Sequence, residues 1–476
     1  MLHIPILRHG KAYTSVDSIE IVHHATGEPL ARVSQANSGM IARDVHRMDW
    51  RGLERFSVAE LMAMSRKAGK LFTTAALPLG DSTQSFEDYI HQLSGTTGMP
   101  QALCRANAQK IFRMFDEIEL VVAGLTRGFD LSILDRGFGS DDGRTLSYFR
   151  EARTFGAVLP SNSPGVHSLW MPAIALKTPV VLKPGREEPW SPLRIIEAFC
   201  AAGVPREAFG FYPTDHAGAG ELLRVVDRAM LFGDASTTRA WANDHRVELH
   251  GPGYSKVVLG DDAADDWQKY VDIMVTSIVA NGGRSCINAS AIWTPRYGRE
   301  IADAVARELA KVRALPADDP DAKIAAFANP KMAEAISGAI DAGLRDPGAT
   351  ELTVVHRGSP RLATIGRCAY LLPTLIHCED REHPLANREF LFPFATVIEC
   401  PTRDMPGAIG KSLIVSAITA DKGFAADLMA CGDIDRLNIG AIPTVRISWD
   451  QPHEGNLFEH LYRQRAFQCE SASCGW

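Results

Sequence analysis

Cys286 is the residue whose sequence context is best suited to covalent chemistry. It follows a helical segment and the pair Gly282-Gly283, so its backbone can approach a ligand closely and its thiol can project into a cleft. A thiolate in such a position attacks the carbon of a carbonyl group. Most cysteines in a chain of this kind are small buried apolar residues. The surrounding elements therefore have to decide whether Cys286 is a nucleophile or a structural residue.

Four short apolar segments predict the strands of a first α/β unit. An amphipathic helix between the second and third ends near Gly203, and this alternation predicts right-handed crossovers and a parallel sheet. Lys183 stands at the end of the second strand, where doubly wound sheets bind their ligands. The four segments are FGAVLP, PVVLKP, FGFYP and MLFGD, at residues 155–160, 179–184, 209–213 and 230–234.

A second α/β unit begins near Gly251, and Cys286 belongs to it. A strand is predicted at residues 257–259, and strands and helices alternate from there to about residue 435. The fold class is therefore α/β, with two doubly wound α/β domains. The helix before Cys286 carries one apolar stripe, formed by Trp267, Val271, Met274 and Ile278.

The segment before these units has its own pattern. Residues 1–60 alternate short apolar runs with turn residues, and the turn at 26–29 predicts a hairpin. From Ser57 to about Phe129 the apolar residues recur at offsets of three and four, which predicts a block of helices.

The composition excludes several classes of protein. With 476 residues and a formal net charge of −7, the chain offers no overall attraction for nucleic acid or anionic lipid. No apolar run approaches the roughly 20 residues of a membrane span, and the first residues lack the features of a signal peptide. We therefore expect a soluble, cytoplasmic protein with no membrane or nucleic-acid partner. The nine cysteines contain no CxxC pair, so we expect neither a disulfide framework nor a metal site.

Seven short segments occur in one order that resembles the aldehyde dehydrogenase superfamily. Each segment is unspecific alone, but together they extend over most of the chain. They are HGKAY with TGEPLARV near the N-terminus, then PSNSP (160–164), VVLKP (180–184), FGDAS (232–236), ELHG (248–251), NGGRSC (281–286) and EFLFP (389–393).

The resemblance implies oxidation of an aldehyde to a carboxylic acid with NAD or NADP. Cys286 would attack the aldehyde to form a thiohemiacetal, whose oxyanion is held by the side-chain amide of Asn162 and the backbone N–H of Cys286. Hydride then passes to the nicotinamide. Glu248 would be the general base for the water that hydrolyses the resulting thioester.

The resemblance also assigns a cofactor site. Lys183 would bind the adenosine ribose and Glu389 the nicotinamide ribose, while Gly233 and Ser236 belong to the nucleotide turn. Arg186 lies three residues after Lys183, and its guanidinium would favour a 2′-phosphate, so the cofactor is NAD or NADP.

The nucleotide turn departs from the family pattern at two positions. Thr238 stands where a second glycine is common, and Asp234 would be unfavourable beside a phosphate. We therefore expect the contacts with the pyrophosphate to be looser than in the family.

Two other functions remain open. Residues 251–254 (GPGY) resemble the Gly-x-Gly turn of the CoA-acylating branch, which releases the acyl group to coenzyme A without a base such as Glu248. A catalytically silent structural relative is the third interpretation, and the presence of Cys286 and Asn162 argues against it. His250, two residues after Glu248, is either a hydrogen-bonded structural residue or acts on water or the thiol.

The resemblance divides the chain into three parts. Residues 1–250 would bind NAD(P) and carry a small oligomerisation flap near 136–155, and residues 251–440 would form the catalytic domain. Residues 441–476 would return along the substrate funnel and take part in oligomerisation. Because the flap and the final CESASCGW look short for the family, we expect a homo-oligomer, with a dimer favoured over a tetramer, that acts on a small-molecule aldehyde.

Overall fold

A computed structural model gives the architecture and describes residues 1–468 and 470. Two seven-stranded sheets dominate it, and three small sheets and a two-stranded hairpin accompany them. The final segment CESASCGW, on which the expected oligomeric state partly rests, lies outside the described residues except for Glu470.

The strands, in chain order, are β1 (Leu2–Ile4), β2 (Ile6–Arg8), β3 (Lys11–Tyr13), β4 (Ser18–Val22), β5 (Pro29–Ser34), β6 (Leu77–Leu79), β7 (Ser82–Gln84), β8 (Phe138–Asp141), β9 (Arg144–Arg150), β10 (Phe155–Val158), β11 (Val180–Lys183), β12 (Phe209–Phe211), β13 (Arg228–Phe232), β14 (Val247–His250), β15 (Lys256–Leu259), β16 (Ala291–Thr294), β17 (Ala349–Glu351), β18 (Leu362–Ile365), β19 (Cys368–Leu371), β20 (Thr374–Cys378), β21 (Phe394–Glu399), β22 (Ser412–Ile418), β23 (Ile434–Ile439) and β24 (Tyr462–Gln464).

The α-helices are α1 (Ser38–His46), α2 (Val58–Thr74), α3 (Phe86–Thr97), α4 (Gln101–Asp116), α5 (Ile118–Thr126), α6 (Ser132–Arg136), α7 (Pro172–Ala175), α8 (Trp190–Ala202), α9 (His216–Val225), α10 (Ala235–Arg239), α11 (Asp261–Ala264), α12 (Val271–Val279), α13 (Gly298–Leu309), α14 (Pro330–Gly343), α15 (Thr353–Arg357), α16 (Met405–Ala408), α17 (Lys422–Met429) and α18 (Leu457–Leu461). Short 3₁₀ helices lie at Pro164–Leu169, Arg206–Ala208, Trp267–Tyr270, Ala280–Gly283 and Thr402–Asp404.

The first large sheet has the strand order β14-β13-β10-β11-β12-β2-β3. The five strands from β14 to β12 pair in parallel, while β2 and β3 add an antiparallel edge. Both faces are buried, because Val180 and Leu182 of β11 pack in one apolar cluster and Val181 packs in another. The predicted strands and the helix between them are confirmed, and Gly203 ends α8 with a φ of 118°.

The second large sheet has the order β17-β20-β21-β16-β15-β22-β23, and only the β17–β20 pair is antiparallel. Along β15, Val258 packs on one face of the sheet, and Val257 and Leu259 pack on the other. Helices therefore cover both sheets on both faces, which confirms the α/β class with two doubly wound units.

The smaller elements also match the sequence patterns closely. β4 and β5 pair antiparallel across the predicted turn, and α2 to α5 form the predicted helical block, interrupted by the β6–β7 hairpin. β8 and β9 form a hairpin within the predicted flap, and β24 adds a third strand to it. Among the described helices, none has both the length and the apolar character needed to cross a bilayer.

The helix predicted through Trp267 is the one element that differs in form. Residues Trp267–Tyr270 form a 3₁₀ turn, and α12 begins only at Val271 because Tyr270 has a non-helical ψ of 2°. Tightened turns of this kind are common at helix ends. Met274 and Ile278 are buried as the stripe predicts, so the helix still packs on the second sheet.

Candidate active site

The loop that carries Cys286 is shaped by left-handed backbone conformations. Asn281, Gly282 and Gly283 follow α12 with φ values of 52°, 65° and 65°. A Cβ atom on Gly283 would lie 2.3 Å from the backbone nitrogen of Pro393, so only glycine fits at this position. The loop is therefore pressed against the segment that also contains Glu389.

The turn before β15 supports Cys286 from another direction. A Cβ atom on Gly253 would lie 2.0 Å from the backbone oxygen of Cys286, and the Ser255 hydroxyl donates to that same oxygen at 2.8 Å. The GPGY segment and Ser255 thus hold the backbone of Cys286.

Asn162 follows β10 and reaches the same loop. Its side-chain Nδ2 donates to the backbone oxygen of Arg284 at 2.7 Å, which leaves one N–H of the amide for a further acceptor. Asn107 of α4 and Ser163 hydrogen-bond to Asn281 at 2.7 and 3.1 Å. The carboxyl end of β10 is in this way tied to the loop that precedes β16.

Cys286 lines a cavity that it shares with Glu248 and His250. Burial raises the pKa of the Cys286 thiol well above its ordinary value, and the carboxylates of Glu454 and Glu389 raise it further. This environment favours the neutral thiol over the thiolate, which is the form that reacts with carbonyl groups.

Glu248, His250 and Glu454 form a charged array along this cavity. Glu248 and His250 lie two apart on β14, so both side chains leave the same face of the strand. Nε2 of His250 lies 2.9 Å from Oε1 of Glu248, and its Nδ1 contacts Glu454. Burial would lower the pKa of His250, but the two carboxylates outweigh it and raise the pKa to about 10.

Glu389 is held by the backbone of the same GPGY turn. Its two carboxylate oxygens accept the N–H groups of Gly253 at 3.1 Å and Tyr254 at 2.6 Å. Burial raises the pKa of Glu389 to about 7, although these donors and Lys256 act in the opposite direction. Each oxygen keeps a lone pair for a further donor.

The residues predicted to hold the adenosine end lie at the carboxyl edge of the first sheet. The ammonium of Lys183 has no hydrogen bond or ion pair with the described residues, and burial lowers its pKa. Arg186 is exposed three residues later. A free ammonium and a free guanidinium at this edge fit a ribose and a phosphate, so this end suits a dinucleotide.

The nucleotide turn is less open to a ligand. Gly233 leads from β13 into α10, where Asp234 accepts the backbone N–H of Thr237 at 2.8 Å and the hydroxyl of Ser236 at 2.7 Å. Donors that would face a pyrophosphate are therefore already bonded to a carboxylate, in line with the expectation of looser contacts.

Four titratable residues of the cavity were given no role from the sequence: Lys110, Arg436, His453 and Glu454. His453 and Glu454 lie in the return segment that was expected along the substrate funnel. Lys110 and Arg436 had weaker signals, because each is far from Cys286 in the chain. The clearer pattern is that of Lys110, which stands three residues after the buried Asn107 and four before the buried Met114 on the buried face of α4.

Comparisons with known proteins identify the family of this chain. The model of the aldehyde dehydrogenase family matches residues 12–406, and the chain belongs to that family. A betaine aldehyde dehydrogenase of Vibrio vulnificus is 25% identical over 407 residues, covering 80% of this chain and 77% of its own.

Solved structures support the fold. An NAD-dependent aldehyde dehydrogenase of Sinorhizobium meliloti has a TM-score of 0.78 at 18% identity and covers 97% of this chain and 94% of its own. An aldehyde dehydrogenase of Bacillus cereus in complex with NAD⁺ has the same TM-score at 16% identity, covering 97% and 96%. Aldehyde oxidation is the class of activity that the family's name describes.

The contact between Gly253 and Cys286 predicts a local effect of one methyl group. Gly253→Ala forces the turn or the loop to move, which should cost about 1–3 kcal/mol of stability. We expect a lower melting temperature and faster amide exchange around Asn288, whose N–H is bonded to Ser285. Gly251→Ala is the control, because its Cβ would have only Thr238 Oγ1 nearby, at 3.9 Å. Equal behaviour of the two variants would contradict the geometry.

The array around His250 predicts a pH-dependent stability. Because the folded pKa of about 10 lies above the ordinary value of 6.5, the array stabilises the fold fully below pH 6.5 and loses this effect as the pH rises towards 10. Glu454→Gln should therefore lower the melting temperature most near pH 6.5 and progressively less towards pH 10. Glu459→Gln, on the exposed side of the same segment, should show no such trend. A deficit of Glu454→Gln that stays constant with pH would be the contrary result.

Proposed function

We propose that this chain oxidises an aldehyde to a carboxylic acid with NAD or NADP, using Cys286 as the nucleophile. The observation that carries the proposal is that Cys286 and the Glu248–His250–Glu454 array line one cavity, while Asn162 hydrogen-bonds to the Cys286 loop. A nucleophile, a proton acceptor and an oxyanion donor are the groups that acyl transfer requires.

In the first step the Cys286 sulfur forms a bond to the aldehyde carbon, and the carbonyl electron pair moves to oxygen. The backbone N–H of Cys286 and the remaining N–H of Asn162 stabilise that oxyanion. The thiol proton passes to a solvent water, which leaves Glu248 free to act as the base in the second step. Lys183 and Glu389 would hold the two riboses of NAD(P)⁺, and the bound cofactor would supply the acceptor for the hydride of this carbon, so that a thioester would remain on the Cys286 sulfur.

Water then releases the acid. Glu248 takes a proton from the water, the water oxygen attacks the thioester carbon, and the Cys286 thiolate leaves. His250 orients Glu248 through their 2.9 Å contact, and Glu454 fixes the other ring nitrogen. Glu454 and His250 are positioning residues in this scheme.

The cofactor residues belong to the same proposal. Lys183 and Arg186 would hold the adenosine ribose and its substituent, Gly233 and Ser236 would line the pyrophosphate, and Glu389 would bind the second ribose. In this scheme residues 1–250 bind the dinucleotide, residues 251–440 carry the nucleophile, and a dimer pairs through the flap.

Release to coenzyme A is a second candidate. One observation favours it: Oε1 of Glu248 is engaged by His250, so this carboxylate is less free to act on water. A thiol of coenzyme A would attack the same thioester without that base.

The test is an aldehyde panel with NAD and with NADP, each with and without coenzyme A. We expect NAD(P)H formation without coenzyme A. Cys286→Ala should lower kcat by about 10³-fold or more, and Glu248→Gln by about 10²–10⁴-fold after one fast turnover. Cys431→Ala is the control for a half-buried cysteine outside the cavity. Strict dependence on coenzyme A would favour the second candidate, and unchanged turnover in Cys286→Ala would exclude both.

A further inference from the structure

Lys110 brings an unneutralised charge to the cavity of Cys286. Its ammonium lies beside Gly165, whose Cβ atom would be 3.2 Å from Nζ, and it makes no hydrogen bond or ion pair with any described residue. Burial and, to a smaller extent, the nearby Arg436 lower the pKa of Lys110 to about 8, while Cys286 acts in the opposite direction.

Arg436 of β23 is a second cation in the same cavity. Among the described residues its guanidinium contacts only the Nδ1 atom of His453, at 3.0 Å. Burial and the charges of Arg436 and Lys110 hold the pKa of His453 well below its ordinary value, so His453 is a neutral acceptor here. Lys110 and Arg436 both lie close enough to Cys286 to respond to its charge.

The acidic groups of the cavity do not contact these cations. Glu248 and Glu454 are paired with His250, and Glu389 is bound by two backbone N–H groups. Burial keeps the Cys286 thiol neutral. Two cations removed from water without a counterion are costly, and an anionic ligand relieves that cost.

The rest of the wall is apolar. A ligand with an apolar spacer between two polar ends would match a reactive sulfur, an apolar wall and a pair of cations. The apolar residues include Val121, Leu125, Leu169, Phe232, Ile447 and Trp449.

We propose that the substrate is an aldehyde that carries a carboxylate at its other end, and that Lys110 and Arg436 bind this carboxylate. This inference rests on the proposed function and adds the substrate class to it. Because both cations lie near Cys286, the spacer between aldehyde and carboxylate is short. A guanidinium and an ammonium supply charge-assisted hydrogen bonds to the two carboxylate oxygens.

The first test compares the semialdehydes of succinate, glutarate and adipate with their methyl esters. Wild type should have a higher kcat/KM for the acids. Lys110→Met and Arg436→Met should each lower the ratio of the two kcat/KM values by about 10- to 100-fold, mostly through KM, and Lys110→Arg should restore much of it. Lys67→Met, at an exposed site on α2, is the matched control.

A ratio that is unchanged in Lys110→Met and Arg436→Met would overturn the proposal. A fall in kcat for acid and ester alike would mean that Lys110 acts on the thiol or the oxyanion, which also overturns it.

The second test does not depend on turnover. Glutarate should slow the alkylation of Cys286 by iodoacetamide, dimethyl glutarate should not, and the difference should vanish in Lys110→Met. If wild type oxidises no aldehyde but glutarate protects Cys286 better than dimethyl glutarate does, the carboxylate site is supported and the proposed oxidation is wrong. If glutarate gives no more protection than its ester, the carboxylate site is wrong, whatever the activity.

Discussion

The close contact between the Gly253 backbone and the Cys286 backbone is the constraint on which the candidate site depends. The two residues stand just before β15 and β16, neighbouring parallel strands, and a side chain at position 253 would occupy the place of the Cys286 carbonyl. Gly283 approaches Pro393 as closely on the other side. Cys286 is therefore held between two close backbone contacts, an arrangement that positions a side chain more precisely than a free loop does.

The charged groups of the cavity come from elements that face the Cys286 loop. Strands β13 and β14 of the first sheet end at this cavity, and β14 contributes Glu248 and His250. Burial alone would favour a neutral imidazole, but the two carboxylates raise the pKa of His250 to about 10. Among the described residues, Lys110 and Arg436 have no carboxylate in contact. The proposed base and the proposed carboxylate site would therefore use different groups of one cavity.

Local patterns in the sequence predicted the strands, the α8 helix and the N-terminal hairpin, because apolar spacing and turn residues determine these within a few positions. The sequence also showed that Cys286 follows a helix and a double glycine, from which its thiol could be expected to project into a cleft. The partners of Glu389 and His250 could not be predicted, because Tyr254 and Glu454 are more than a hundred residues away from them in the chain. Only the packing of the two sheets brings them together. The break in the helix at Tyr270 was not predicted either, because it depends on a backbone angle that a stripe of apolar residues does not specify.

The central claim is that an acyl group is carried transiently by the sulfur of residue 286. Rapid-quench mass spectrometry of Glu248→Gln, mixed with an aldehyde and NAD(P)⁺, tests it most directly, because slow hydrolysis lets the thioester accumulate. We expect a mass increase equal to the aldehyde less two hydrogens, located on the peptide that contains Cys286 and formed at the rate of the first NAD(P)H produced. Production of NAD(P)H with no adduct on that peptide, or with the adduct on another cysteine, would contradict it.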